Sequence, residues 1–417
     1  MKNKRLLIIF FTLFFVFFNT TCFAIDGPEL NAQAAILIDS NTGKILYEKN
    51  MNEKMYPAST TKILTAILTI ENCNLDDIVT VNYNAISSIP SGYATAELIT
   101  DENLTVKQLL EVLLLHSAND AANVLAMHVG GSIESFVTMM NSKAQELNCV
   151  NTNFTNTYGL HDENHYTTAR DLAIITRYCM QNDSFRHFVS QTNCQIAPTN
   201  KHDARTFTNT NNLIINSSNY YYPYAIGVKT GYTKEAGNCL ISASKKDGFE
   251  TISVVLNTGT LHGARCTDSI ALFDYAYNNF GIKKIANKDD VISQITVSNG
   301  TKETKNLDVI LSKDVNALLM LSNENNKIIP NVNLNKNISA PLAAGSVVGT
   351  VTYSALNTDY TVDLVAAHDV EKSDFTYFIL VAALISFTLI LLIILIIYIK
   401  RKRKNKIDYN YLNLKMN

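Results

Sequence analysis

Cys239-Leu240-Ile241-Ser242-Ala243-Ser244 and Thr251-Ile252-Ser253-Val254-Val255-Leu256 flank a short polar connection that contains Asp247-Gly248. Both outer runs are strand-like, and Asp-Gly is favoured where two strands meet in a tight hairpin. A hairpin makes its strands antiparallel. The run Ala225-Ile226-Gly227-Val228-Lys229 precedes this pair as a further strand, and an amphipathic helix over Ala264–Tyr277 follows it. Near the start, Ala34-Ala35-Ile36-Leu37-Ile38, the turn-rich Asp39-Ser40-Asn41-Thr42-Gly43 and Lys44-Ile45-Leu46-Tyr47 read as another hairpin. The chain between is helical in pattern, with apolar faces over Ile63–Ile70, Val106–Leu115, Ala121–His128 and Glu134–Leu147. Two early strands and three late ones around a helical middle predict an α+β fold with an antiparallel sheet, not a doubly wound one.

From about Ile285 to Val370 the texture changes. Val291–Val297, Leu307–Leu311, Val347–Val351 and Tyr360–Leu364 are short, often alternating runs separated by Asn, Asp and Gly, which predicts a small all-β module. Phe375 to Ile399 carries no charge and, at about 1.5 Å per helical residue, reaches across a ~30 Å hydrocarbon core. Lys400-Arg401-Lys402-Arg403-Lys404 follows at once, and basic flanks stay in the cytoplasm. At the other end Lys2, Lys4 and Arg5 precede the apolar run Leu6–Phe18, and Cys22-Phe23-Ala24 supplies a cleavage site, the pattern of a secretory signal peptide. The expected organisation is therefore a signal peptide over 1–24, the main domain over 25–284, a β-rich domain over 285–370, a transmembrane helix over 375–399 and a cytoplasmic basic tail over 400–417. The body of the protein then lies outside the cytoplasmic membrane.

Composition narrows the function. The 417 residues hold 35 basic and 37 acidic side chains for a net charge of −2, so no basic field exists to hold a nucleic-acid backbone. Loss of Cys22 with the leader leaves Cys73, Cys149, Cys179, Cys194, Cys239 and Cys266, none in CxxC spacing. A chain of this size needs no staples, so buried thiols are expected, with one disulfide as the alternative. His161-Asp162-Glu163-Asn164-His165 has metal-ligand residue types but no second cluster with it, and reads as a polar loop. No metal or cofactor is expected.

The chemistry starts at Pro57-Ala58-Ser59-Thr60-Thr61-Lys62, directly before an apolar helix. A serine hydroxyl is a weak nucleophile and needs a base beside it, and positions i and i+3 share a helix face. Ser59 and Lys62 fit that need, although a serine in this place could equally cap the helix. Ser117-Ala118-Asn119 sits in a connection between buried helices, and Lys229-Thr230-Gly231 at a strand's exit. Their order, context and spacing are those that one active site requires.

Together the three motifs resemble those of the penicillin-recognising serine enzymes. Ser117-Ala118-Asn119-Asp120-Ala121, Asn151-Thr152-Asn153-Phe154, Gly159-Leu160, His165-Tyr166-Thr167-Thr168-Ala169-Arg170-Asp171-Leu172-Ala173, Lys229-Thr230-Gly231-Tyr232-Thr233 and Ala236-Gly237-Asn238 are similar to those of the D-alanyl-D-alanine carboxypeptidases, the low-molecular-mass penicillin-binding proteins. The resemblance runs from about Ala32 to Phe280. It implies a β-lactamase/transpeptidase-like domain, with a five-stranded antiparallel sheet, helices on both faces and a helical subdomain. It further implies removal of the terminal D-Ala from peptidoglycan pentapeptides through an acyl-enzyme on Ser59, with β-lactams trapped at the same stage.

The implied roles are Lys62 as base, Ser117 as proton carrier to the leaving nitrogen, and Asn119 as the group that orients Lys62 and the substrate. The N–H groups of Ser59 and Tyr232 would hold the oxyanion. Lys229, Thr230 and Arg265 would meet the substrate carboxylate beside Gly231. Tyr232 stands where some relatives carry His, and Ala144 where class A β-lactamases carry the deacylating Glu. The alternatives are a β-lactamase-type hydrolase, a non-catalytic β-lactam sensor and a D,D-endopeptidase.

Overall fold

The computed structural model describes residues 27–261, 263–322 and 328–413, so the expected signal peptide lies outside the described residues. The described chain forms two compact units, one of residues 27–282 with 320–322, the other of residues 283–319 and 328 onward.

In the first unit β1 (Ala34–Asp39) and β2 (Ile45–Lys49) form the early hairpin. Two short ribbons follow that the sequence pattern does not announce: β3 (Ile78–Thr80) with β4 (Asn103–Thr105), and β5 (Asn193–Ile196) with β6 (Arg205–Thr208). The late strands are β7 (Ala225–Thr233), β8 (Gly237–Lys246) and β9 (Phe249–Leu256). β8 and β9 turn at Asp247 (φ 49°) and Gly248 (φ 81°), both left-handed as the tightest hairpin turn demands. The sheet order is β2-β1-β9-β8-β7 with every pair antiparallel, which leaves β7 on an edge.

All eight residues of β9 are buried, so both faces of the sheet are covered. Ile252, Val254 and Leu256 join the core built on Ile63, Leu64, Ile67 and Leu172. The alternate residues face the other way, where the Ala264–Asn279 helix packs. The Lys62–Asn72 helix runs through the centre of the helical part, with its first eight residues all buried. Each fully buried Ile or Leu there contributes about 1.5–3 kcal/mol, enough to hold a charged residue type at its head.

One expected helix is interrupted. Val106–Glu111 begins with a capping box, Thr105 with Gln108, but Val112–His116 widens into an i→i+5 turn that ends at Ser117 in the left-handed region, φ 67°. Such widened turns re-aim the backbone at functional sites. The six described cysteines are all free thiols, five of them buried.

The second unit is an antiparallel sheet of Val291–Thr296, Asn306–Leu311, Thr358–Ala366, Val347–Ala355 and Asn331–Leu334, in that order. The strand over Asn331–Leu334 is an addition to the four runs read from the sequence. Leu307, Val309, Leu311, Val351, Leu364 and Ala366 form a separate core. A helix over Phe375–Asn413 follows, and its segment Phe378–Lys404 is long and apolar enough to cross a membrane. The helix continues through the basic run instead of stopping before it.

Candidate active site

Ala58–Thr61 form a single 3₁₀ turn that feeds the Lys62–Asn72 helix, and neither start has a side-chain cap. In a 3₁₀ turn residues i and i+3 eclipse, so Ser59 lies directly over Lys62. Ser59 Oγ is 2.8 Å from Lys62 Nζ. Ala58, just before the serine, has φ +47°, a left-handed conformation that costs an alanine about 1–2 kcal/mol. Two contacts hold it there: Thr61 Oγ1 donates to the Ala58 carbonyl at 2.9 Å, and Gly159 packs so closely that a Cβ would fall 1.8 Å from the same oxygen. Gly159 itself has φ +89°, so no other residue fits on either ground.

Lys62 is fully buried and donates to the carbonyl of Tyr158 at 2.9 Å. Asn156 shapes that loop, its Oδ1 accepting from the N–H groups of Tyr158, Gly159 and Leu160 at 3.3, 2.8 and 3.0 Å. Burial, and then the charge of Lys229, hold the Lys62 pKa well below its ordinary value, while Asp120 pulls the other way. The direction of this shift favours the neutral amine, the form that can take a proton.

Ser117 and Asn119 form the second wall. Asn119 opens the Asn119–Gly130 helix and donates its N–H to Ala94 O at 2.9 Å. Its Oδ1 is buried without a hydrogen-bond partner, so it makes no bond to Lys62. The carbonyl that Lys62 Nζ does reach is that of Tyr158. Asp120 accepts from the N–H groups of Ala96 and Leu98, holding the 92–98 segment over the cleft.

The third wall is the edge strand β7. Lys229-Thr230-Gly231 lies inside this strand, not at its exit, because pairing with β8 continues through Tyr232↔Asn238 to Thr233↔Gly237. A Cβ at Gly231 would lie 3.1 Å from Ser59 N and 3.0 Å from Pro57 O, so glycine lets the strand close on the serine's N–H. Lys229 is 1% exposed and donates to Thr230 O at 3.1 Å, and like Lys62 it is buried behind the residues that line the cleft. Burial, with Arg265 as the second cause, lowers its pKa to about 7. Arg265 Nη1 lies 3.5 Å from Gly231 O and from Asn238 Oδ1.

These walls enclose a cleft of about 450 Å³ lined by Ser59, Ser117, Asn119, Thr230, Gly231, Tyr232 and Arg265, with Tyr93, His116, Thr210 and Lys234 among the others. Among the described residues no Asp or Glu lines it. Ala144 is buried in the Ile133–Glu146 helix and is not a lining residue. Sequence reasoning missed Tyr158, Thr210 and Lys234. Thr210 Oγ1 sits 2.6 Å from Thr230 Oγ1, yet Asn209-Thr210-Asn211 reads as one more polar loop. No group of metal-ligating side chains occurs among the described residues. His165, read from sequence as part of a polar loop, is 2% exposed and touches the nucleophile turn.

Residues 21–260 match the family model described as D-alanyl-D-alanine carboxypeptidase, and residues 280–372 match that of the penicillin-binding protein 5 C-terminal domain. The D-alanyl-D-alanine carboxypeptidase DacF of Bacillus subtilis is 32% identical, over 84% of this chain and 88% of its own. Among solved structures, penicillin binding protein 5 from Haemophilus influenzae aligns with a TM-score of 0.66 at 28% identity, over 84% of this chain and 100% of its own. PBP3 from Streptococcus pneumoniae, described as a peptidoglycan synthesis regulatory factor, aligns with a TM-score of 0.72 at 27% identity, over 82% of this chain and 100% of its own.

Proposed function

This chain belongs to the D-alanyl-D-alanine carboxypeptidase family and is a serine D-Ala-D-Ala carboxypeptidase, and on that premise we propose that Ser59 is its nucleophile and Lys62 its general base. Lys62 takes the hydroxyl proton as Ser59 Oγ attacks the carbonyl between the two terminal D-alanines. The N–H groups of Ser59 and Tyr232 hold the oxyanion, each donor contributing about 3 kcal/mol. Ser117 passes a proton to the departing D-Ala nitrogen while Asn119, whose Oδ1 is free, orients the substrate backbone. Water then hydrolyses the ester.

The observation that carries this reading is the pairing of a buried lysine 2.8 Å from Ser59 with a cleft that has cations and no carboxylate. Such a cleft suits a peptide that ends in a carboxylate, which Thr230 and Arg265 would contact directly with the charge of Lys229 behind them. The substrate is then the D-Ala-D-Ala end of a peptidoglycan pentapeptide stem. A β-lactam opened by Ser59 would stay as the ester, because its released nitrogen remains tethered to the acyl group where a departing D-Ala leaves room for water. Among the described residues no carboxylate of the class A β-lactamase kind lines the cleft, and this argues against a β-lactamase. The Phe378–Lys404 helix would anchor the chain in the cell membrane, with Lys400–Lys404 on the cytoplasmic side and the catalytic unit outside.

The test uses the full chain in detergent with diacetyl-Lys-D-Ala-D-Ala, measuring free D-alanine, and fluorescent penicillin to label the serine. Wild type should release D-alanine and take the label, and Ser59→Ala should do neither. Release by Ser59→Ala equal to wild type would overturn the assignment.

A further inference from the structure

His165 is a buried imidazole to which the acylation steps above give no task, and both its nitrogens are engaged. The N–H of Thr155 lies 3.1 Å from Nδ1. A backbone N–H can only donate, so Nδ1 must accept and the neutral ring carries its proton on Nε2. Nε2 then donates to Thr61 Oγ1 at 2.9 Å, and the Thr61 hydroxyl passes its own proton to Ala58 O at 2.9 Å. Every member of this chain has one direction: Thr155 to His165 to Thr61 to Ala58.

The two ends of the chain belong to the two halves of the nucleophile–base pair. Ala58 is the residue with φ +47° immediately before Ser59. Thr155 is followed by Asn156, whose side chain forms the turn that aims the Tyr158 carbonyl at Lys62 Nζ. The turn and the loop are far apart in sequence. They are further tied by Gly159 against Ala58, by the bridge between Met55 and Thr167 and, one turn into the helix, by Thr65 Oγ1 to Thr157 O; His165 is the side chain that joins the start of the loop to Thr61 in the nucleophile turn itself.

We propose that His165 is a positioning residue for acylation: by tying the Ser59 turn to the loop that holds Lys62, it sets the separation and angle at which the proton passes between them. This rests on Ser59 and Lys62 being the acylating pair. The ring is suited to the task because burial lowers its pKa to about 4, against Asp162 and with help from His161 and Lys62, so it stays neutral near neutral pH while the bonds from Thr155 and to Thr61 set its tautomer.

The test compares His165→Leu, His165→Gln and Thr61→Val in the full chain, with rates expressed per penicillin-titrated site so that unfolded protein is divided out. Gln can accept from Thr155 and donate to Thr61, whereas Leu can do neither and Val removes the link at the other end. The expected result for His165→Leu is a fall of about 10- to 100-fold in both kcat and the penicillin acylation rate, the scale of a small misplacement of reacting groups. KM should stay within about twofold, because the carboxylate-binding wall is untouched. His165→Gln should recover most of the rate, and Thr61→Val should fall between. The proposal is overturned if His165→Leu keeps a wild-type kcat per titrated site, or if its loss lies in KM alone, or if Gln restores nothing. An active wild type beside an inactive Ser59→Ala keeps the nucleophile assignment standing whichever of these results appears.

Discussion

Two fully buried lysines lie behind the lining of one cleft, and they differ in what surrounds them rather than in how deeply they sit. Lys62 is 0% exposed and Lys229 1%. Burial is the leading cause of the lowered pKa in both. Lys62, however, faces the hydroxyl of Ser59, which has a proton to give, and the carbonyl of Tyr158, which fixes its direction. Lys229 faces the carbonyl of Thr230, which has none, and a neighbouring arginine. Burial makes each amine adjustable, and the partner decides whether it can act as a base or only as a charge.

The largest effect expected from this difference is at the base. Lys62→Gln should lower the penicillin acylation rate by about 10²–10⁴-fold, the usual range for loss of a general base. Lys229→Gln should instead act mainly by raising KM for the D-Ala-D-Ala peptide, with a much smaller change in kcat. Stopped-flow acylation and steady-state D-alanine release separate the two, and equal losses of kcat in both variants would show that the lysines do not divide the work.

A second expectation is a pair of opposed pH limbs. Lys62 must be neutral to take the proton, so kcat/KM falls on the acid side as it becomes protonated. Lys229 must be charged to favour a carboxylate, and with its pKa at about 7 it loses that charge as pH rises through this value, so kcat/KM falls on the basic side. Removing the like charge in Arg265→Gln should move the basic limb to higher pH while lowering kcat/KM overall. A pH–rate profile whose basic limb does not move in that variant would exclude Lys229 as its source.

The smallest effect is expected at Thr210. With substrate bound, the Thr230 hydroxyl can give its single proton to the carboxylate only if Thr210 donates to Thr230. Thr210→Val should raise KM by about 2- to 10-fold, the value of one hydrogen bond, with kcat held and Thr210→Ser close to wild type.

The main architecture was legible because it depends on local chemistry. Asp247-Gly248 carries its own turn, alternation marks the strands, and the uncharged run before Lys400 marks the long apolar helix. The ribbons β3/β4 and β5/β6 were missed because strands of three and four residues have too few positions to show a period. The break at Val112 was missed for a related reason: an apolar run looks continuous whether its hydrogen bonds reach four residues or five.

At the site the motif residues could be named from sequence, but several of their partners could not. Tyr158 accepts from Lys62 through a backbone carbonyl that every residue type carries, and its ring, centred 5.6 Å from Lys62 Nζ, reaches the lysine only across the fold. His165 looked like a loop residue because its neighbours Asp162, Glu163 and Asn164 are polar and exposed, and only the packing of that loop on the nucleophile turn buries it.

What the amino-acid sequence determined by itself is the set of reactive side chains and the elements that carry them, since residue identity and local periodicity are written in neighbouring positions. Tertiary structure alone decided that Lys62 points at Tyr158 O, that Asn119 Oδ1 stays open, that Lys229 is buried against Thr230 O, and that one imidazole joins turn to loop. Those facts depend on distances between segments remote in sequence, and such distances exist only once the buried faces of sheet and helices have packed against each other.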